Sequence, residues 1–208
     1  MLSVSTALAR LRDGLSEPFP DSPGTRIIDI AFPLNDAFDP LLWCGQQPQW
    51  PQFYWQQRNG DEEMAALGAV KSFPSLDAAN RFLHQAGRQD LRICGLNAFA
   101  PQQGRLVLPR LEWRRCGGRA VMRLVLHSDL SLRDNAMTAR DFLASLTTAQ
   151  ATPGGVPPLL SERHSSDYPL WQAMIDLATQ AIAAGDMDKV VLARATDLQF
   201  AAPLDAVS

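Results

Sequence analysis

The chain has 208 residues, 46% of them hydrophobic and 20% charged, with 22 acidic against 19 basic side chains and a formal net charge of −3. That composition excludes a disordered or fibrous chain, and the length accommodates one large domain or two small ones with proper cores. No run approaches the roughly 18 apolar residues of a membrane span, and the start MLSVSTALARLRDG lacks the basic and apolar regions of a leader, so no membrane partner is expected and the expected address is cytoplasmic.

In chain order, Val4, Leu8, Leu11 and Leu15 recur at helical spacing behind a capping serine, Ser3, and predict an N-terminal helix. After the Pro/Gly-rich stretch 18–24, Ile28, Ile30 and Phe32 alternate with Asp29 and Ala31 as in a half-buried strand that Pro33 ends. The aromatic segment from Pro51 runs into Asn59-Gly60, which predicts a two-residue hairpin turn and a return strand over about 62–71. Ser75 and Asp77 open a helix carrying Leu76, Ala79, Phe82 and Leu83 and ending near Gly87, and a strand is expected over Leu91–Phe99.

The clearest hairpin is RLVLPRLEWRRC, Gly117-Gly118, RAVMRLVLHS, with Met122, Leu124 and Leu126 on one face, Val121, Arg123 and Val125 on the other, and a bulge or an edge at Pro109. A helix is expected over 134–148 and a linker over 149–161, whose three prolines and two glycines place a boundary near 150. Beyond it, Leu170, Met174, Leu177, Ala178, Ala181 and Ile182 line one side of a helix closing at Gly185, and Lys189 to Phe200 reads as a strand. The expected fold is α/β of the α+β type, a mostly antiparallel sheet with flanking helices. Residues 1–150 are expected to form an N-terminal region, and 151–208 to begin a second, larger domain. A lone helix and strand cannot bury their own apolar faces, so the chain is expected to be the front part of a longer protein.

Three scattered cysteines, Cys44, Cys94 and Cys116, fit neither a disulfide framework nor a zinc spacing and read as buried reduced thiols. His84, His127 and His164 are isolated and form no ligand motif, and no phosphate-binding, dinucleotide or nucleophile-elbow motif occurs. The arginines of the long hairpin, with Trp113 among them, have the composition of a single-strand nucleic-acid platform. The plainer reading, a solvated sheet face with Glu112 and water-facing guanidinium groups, is preferred because the net charge is negative, and no nucleic-acid partner is expected. Only two lysines, Lys71 and Lys189, stand beside seventeen arginines. Lys189 follows Asp186 and Asp188 and opens an apolar run, so two readings remain: a solvated lysine paired with an aspartate, or an amine dried by a pocket, neutral, and able to act as a general base.

The segment DKVVLAR, preceded by WQAMIDLATQAIAAGD, resembles the entry to the catalytic domain of the chorismate-using enzymes, which include the isochorismate, salicylate, anthranilate and aminodeoxychorismate synthases. The blocks from Trp50-Pro51 through Glu63, LRICGLNAF and LPRLEWRRCGG are similar, more narrowly, to the menaquinone-specific isochorismate synthases, with Trp50 where that group has Tyr and Cys94 where it has Trp. The resemblance implies chorismate as substrate and a Mg²⁺-dependent isomerisation that moves the ring hydroxyl from position 4 to position 2. It further implies water as nucleophile, Lys189 as the base that deprotonates it, and an acid glutamate and Mg²⁺ ligands that lie downstream of residue 208. Relatives with an amine nucleophile carry glutamine where Lys189 stands, which points to the water-using branch. The alternative is a non-catalytic module, derived from such an enzyme, that binds a partner or packs against one.

Overall fold

The computed structural model describes residues 3–32, 38–86, 90–97, 104–149 and 154–204. The chain divides into two compact units, Met1–Pro153 and Gly154–Ala206. The architecture is α+β: antiparallel sheets with flanking helices.

The first unit is built on a six-stranded antiparallel sheet of β1 (Gly24–Phe32), β2 (Gln52–Gln56), β3 (Glu62–Phe73), β4 (Cys94–Asn97), β5 (Gly104–Cys116) and β6 (Arg119–Ser128). The main path runs β1-β6-β5-β3-β2, and β4 pairs with Gly104–Val107 at the start of β5, beyond the stretch Leu111–Cys116 that β6 occupies. The β5–β6 turn has Gly117 and Gly118 at φ of 54° and 74°, the left-handed pair a two-residue hairpin needs, so Cys116 faces Arg119 directly. Opposite Pro109 the register slips between Ala69 and Lys71, which is the bulge expected where proline cannot donate to a ladder.

Alternation, broken at the Pro109 bulge, gives the sheet two faces. Ile28, Ile30, Leu67, Leu111, Trp113, Met122, Leu124 and Leu126 face one way, onto α1 (Val4–Gly14), α2 (Pro40–Gly45) and α4 (Leu132–Ser145). In α1 the hydroxyl of Ser3 caps the Thr6 amide, and Val4, Ala7, Leu8 and Leu11 are buried, as the helical spacing predicted. Gln47 pins the end of α4 to α2: its amide donates to the carbonyls of Trp43 and Thr147 at 2.8 and 3.2 Å and its oxygen accepts from the Thr147 amide at 3.0 Å. On the other face, Ile27, Phe73, Leu106, Leu108 and Val125 meet α3 (Leu76–Ala86), whose first turn is capped by Ser75.

Four expectations need correction. Asn59 keeps a negative φ and only Gly60 is left-handed (79°), so the β2–β3 connection is the wider loop Arg58–Asp61, closed by the Gln57 amide on the Glu62 carbonyl at 2.8 Å. The stretch 91–93 is not strand, because only Cys94–Asn97 reaches the β5 edge. The supposed linker 149–161 already contains the start of β7 (Leu159–His164). Cys44 and Cys94 are buried, but Cys116, the last residue before the Gly-Gly turn, is exposed. The helix end at Gly87 and the strand end at Pro33 lie outside the described residues.

The second unit consists of β7, α5 (Tyr168–Ala184) and β8 (Thr196–Phe200), with β7 and β8 forming an antiparallel pair. The Asp167 carboxylate caps α5 by accepting from the Leu170 amide at 2.9 Å, and Gly185, at φ 80°, ends it.

Candidate functional site

Lys189 lies in the second unit, between α5 and β8. The helix ends in a left-handed glycine cap, with Gly185 donating to the Ile182 carbonyl and Asp186 to the Ala181 carbonyl at 3.1 and 3.0 Å. The expected strand from Lys189 to Phe200 is shorter than the sequence suggests: residues 189–195 have no strand partner among the described residues, and pairing begins at Thr196. The reason is the reach of β7, whose ladder closes where the Ser165 amide meets the Ala195 carbonyl at 2.9 Å and the Ser165 hydroxyl accepts from the Ala195 amide at 3.1 Å. Val190 and Val191 are therefore left 40% and 78% exposed. Lys189, Asp186 and Asp188 are all exposed, and neither aspartate forms an ion pair with the lysine among the described residues. The described part of this unit supplies no apolar wall to dry the amine.

Two cavities of the first unit stand out, the second of them against α3. The larger, about 790 Å³, is mainly apolar and lined by Trp50, Phe53, Phe73, Leu96, Leu106 and Val107 among others. The second, about 470 Å³, holds Lys71, Arg81, His127 and Asp129 beside Phe82. Both have the size of small-molecule sites. In the second, Thr25 Oγ1 lies 2.9 Å from His127 Nδ1, Asp129 is 3.2 Å from His127 Nε2, and Lys71 pairs with Asp129. Burial, reinforced by the Lys71 ammonium, holds the His127 imidazole below its usual range. His127 is thus a hydrogen-bonded histidine packed edge-on against Phe82. Among the described residues no group of three or more His, Cys, Asp or Glu side chains could hold a metal ion.

The arginine hairpin departs most from its sequence reading. The expected water-facing surface is interrupted by three buried charged residues: Glu112 is 1% exposed, and Arg110 and Arg123 are each 5% exposed. Arg110 turns under α4, donating to the Val125 carbonyl at 3.0 Å and to Asn135 Oδ1 at 2.6 Å, and burial lowers its guanidinium to about 10. Arg123 forms a bidentate pair with Asp29 at 2.8 and 2.7 Å and donates to the Asp90 carbonyl at 2.6 Å. Single-strand binding needs accessible guanidinium groups, and these two are spent on the fold. The sequence reading put Glu112 and the hairpin arginines on a solvated face; it held no signal that Asp90 would take up Arg123 and that Arg92 would reach Glu62.

A family model described as chorismate binding enzyme matches residues 96–208, which include Lys189 and the whole second unit. The chain belongs to the chorismate binding enzyme family. It is 54% identical, over all of its own length and 48% of the relative's, to the isochorismate synthase MenF of Escherichia coli K12. It is 28% identical to the isochorismate synthase MenF of Haemophilus influenzae over 82% of this chain and 38% of that one. Among solved structures, that of MenF, the menaquinone-specific isochorismate synthase from Escherichia coli, superposes with a TM-score of 0.89 over 99% of this chain and 48% of the other. The chain spans about half the length of the E. coli relative it matches.

Proposed function

We propose that the chain serves the conversion of chorismate to isochorismate, the menaquinone-directed reaction, as a part of an isochorismate synthase. The observation that carries this reading is the 54% identity to such an enzyme across the full chain, a span that takes in the segment around Lys189. In the reaction, water adds at ring position 2 as hydroxide is lost from position 4. The Lys189 amine accepts a proton from the attacking water, and an acid must protonate the departing oxygen. Water is a weak nucleophile at neutral pH, and a positioned base contributes about 10²–10⁴-fold.

The amine must be neutral to do this, so the proposal requires that polypeptide packed on the second unit dries it. Mg²⁺, which the resemblance implies, would screen the substrate carboxylate. The described residues offer no such metal site, and the proton transfer at Lys189 does not pass through the ion. No described residue is assigned as the acid. A cytoplasmic location accords with a small-molecule substrate, and among the described residues no helix is long and apolar enough to cross a membrane.

Lys189→Ala and Lys189→Gln in the complete enzyme should lower isochorismate formation about 10²–10⁴-fold, followed by chromatography with chorismate and Mg²⁺ present, with the circular dichroism unchanged. Near-normal product from either variant would sink the assignment. One observation favours a second reading, a non-catalytic packing module: α5 buries none of its residues, and Leu170, Leu177 and Ile182 are 51%, 69% and 40% exposed. Turnover of chorismate by the isolated 208-residue chain would dispose of that alternative.

A further inference from the structure

Glu112 sits mid-strand on β5, opposite Ala66 of β3 and Arg123 of β6, within electrostatic reach of Arg92 and Cys94 of the segment Asp90–Asn97. It is 1% exposed, and neither carboxyl oxygen has a hydrogen-bond partner among the described residues. A carboxylate in that position cannot stay charged and unpaired: it must hold a proton or recruit a cation.

The charged and titratable groups facing it come from every element around it: Arg114 on its own strand, Arg123 on β6, Asp29 on β1, and Arg92 and Cys94 on the neighbouring segment, whose Asp90 acts on Arg123. The guanidinium groups that tie this segment to the sheet are already engaged. Arg123 holds Asp29 in a bidentate pair and grips the segment through the Asp90 carbonyl at 2.6 Å and the Asp90 carboxylate at 3.2 Å. Arg92 reaches from the segment to Glu62 of β3 at 2.5 Å. Of the three guanidinium groups that face Glu112, Arg123 and Arg92 are ties between the segment and the sheet, so an ionised Glu112 that draws on either one loosens a tie.

We propose that Glu112 is a protonation latch for the segment Asp90–Asn97: neutral, it lets the segment lie down on the sheet; ionised, it loosens the Arg92 and Arg123 ties and frees β4. Burial raises the Glu112 carboxyl to about 7, against the pull of Arg123, Arg114 and Arg92. The Cys94 thiol beside it is pushed up to about 12, by burial first and then by Glu112. Release of β4 removes Leu96 from the wall of the apolar 790 Å³ cavity, so the latch controls access to that space.

The sign follows from linkage. Glu112 is harder to ionise with the segment docked than with it released, where the carboxyl returns to its ordinary value near about 4.3. Docking is therefore fully favoured at low pH, weakens as pH rises through the interval up to about 7, and changes no further above it.

Hydrogen exchange of the Cys94–Asn97 amides, corrected for the chemical pH dependence of exchange, tests this on the whole chain. In the natural sequence their protection should fall with rising pH from about 5 to 7, by at most about tenfold per pH unit for one proton, then level off, while β6 amides stay protected. Glu112→Gln, which keeps the shape and cannot ionise, should give a flat profile. A flat profile in the natural chain, or an unchanged slope in Glu112→Gln, overturns the latch. Should that variant fail to fold, the carboxyl-carbon resonance of Glu112 in the natural chain decides: titration near 7 supports the latch, and titration in the ordinary carboxylate range removes it.

Discussion

The three thiols differ only in where the fold puts them, and their chemistry should differ accordingly. Burial pushes Cys44 up to about 11 and Cys94 up to about 12, so neither presents thiolate near neutrality, whereas Cys116 is exposed at the end of β5. A chromogenic disulfide reagent at about pH 8 should titrate one thiol quickly and two only on unfolding, and Cys116→Ser should abolish the fast phase. Two fast thiols in the natural chain would contradict this placement. Spacing alone made all three look alike, although the sequence already set Cys116 directly before the Gly-Gly turn, the end of the hairpin where the fold leaves it exposed. Glu112 teaches the same lesson in reverse: a charged residue in a strand reads as solvent-facing, and only a segment about twenty residues earlier in the chain makes it buried. Lys189 was found by resemblance; no property of its own described surroundings distinguishes it.

At the scale of elements, local rules carried far. The alternation of β6, the Ser3 cap, the left-handed glycines of the β5–β6 turn and the Pro109 bulge were all legible, because each is set by residues adjacent in sequence. The strand at 189–200 was overextended because an apolar run lacks information about partner length; β7 reaches only to Thr196. β4 is the least secure element, four residues on a strand edge, and its fit depends on Gly95. A Cβ there would run into the Arg105 carbonyl, part of the backbone β4 pairs with. Backbone cannot swing aside as a side-chain end does, so Gly95→Ala should unseat β4 rather than be absorbed. The expected signature is loss of exchange protection at Cys94–Asn97 and a Cys94 thiol that reacts with the same reagent in the folded protein, with β1, β5 and β6 still protected. Undiminished protection at those amides would show that the close approach is relieved elsewhere.

Across the whole molecule the two units differ in how they are held together. The first encloses Leu8, Leu11, Trp43, Leu67, Leu111, Met122, Leu124 and Leu143 at 1% exposure or less, a continuous core between sheet and helices. In the second, Ser166 is the only buried residue among those described, and its sheet has two strands. A two-stranded sheet is marginal in water, and a lone helix is little better without a buried face. Apolar side chains of α5 would each gain roughly 1.5–3 kcal/mol on full burial, and within this unit they do not collect it. The sequence pattern showed which side of α5 is apolar but not what covers it. It follows that a fragment of residues 1–153 should unfold in urea as one cooperative transition, with dispersed amide resonances. A fragment of residues 154–208 should show a helix signal well below that of 17 ordered residues and melt without a sharp midpoint. Cooperative melting of the second fragment by itself would mean that β7, α5 and β8 hold one another, and would remove the structural argument that this unit needs a partner surface before Lys189 can act as a base.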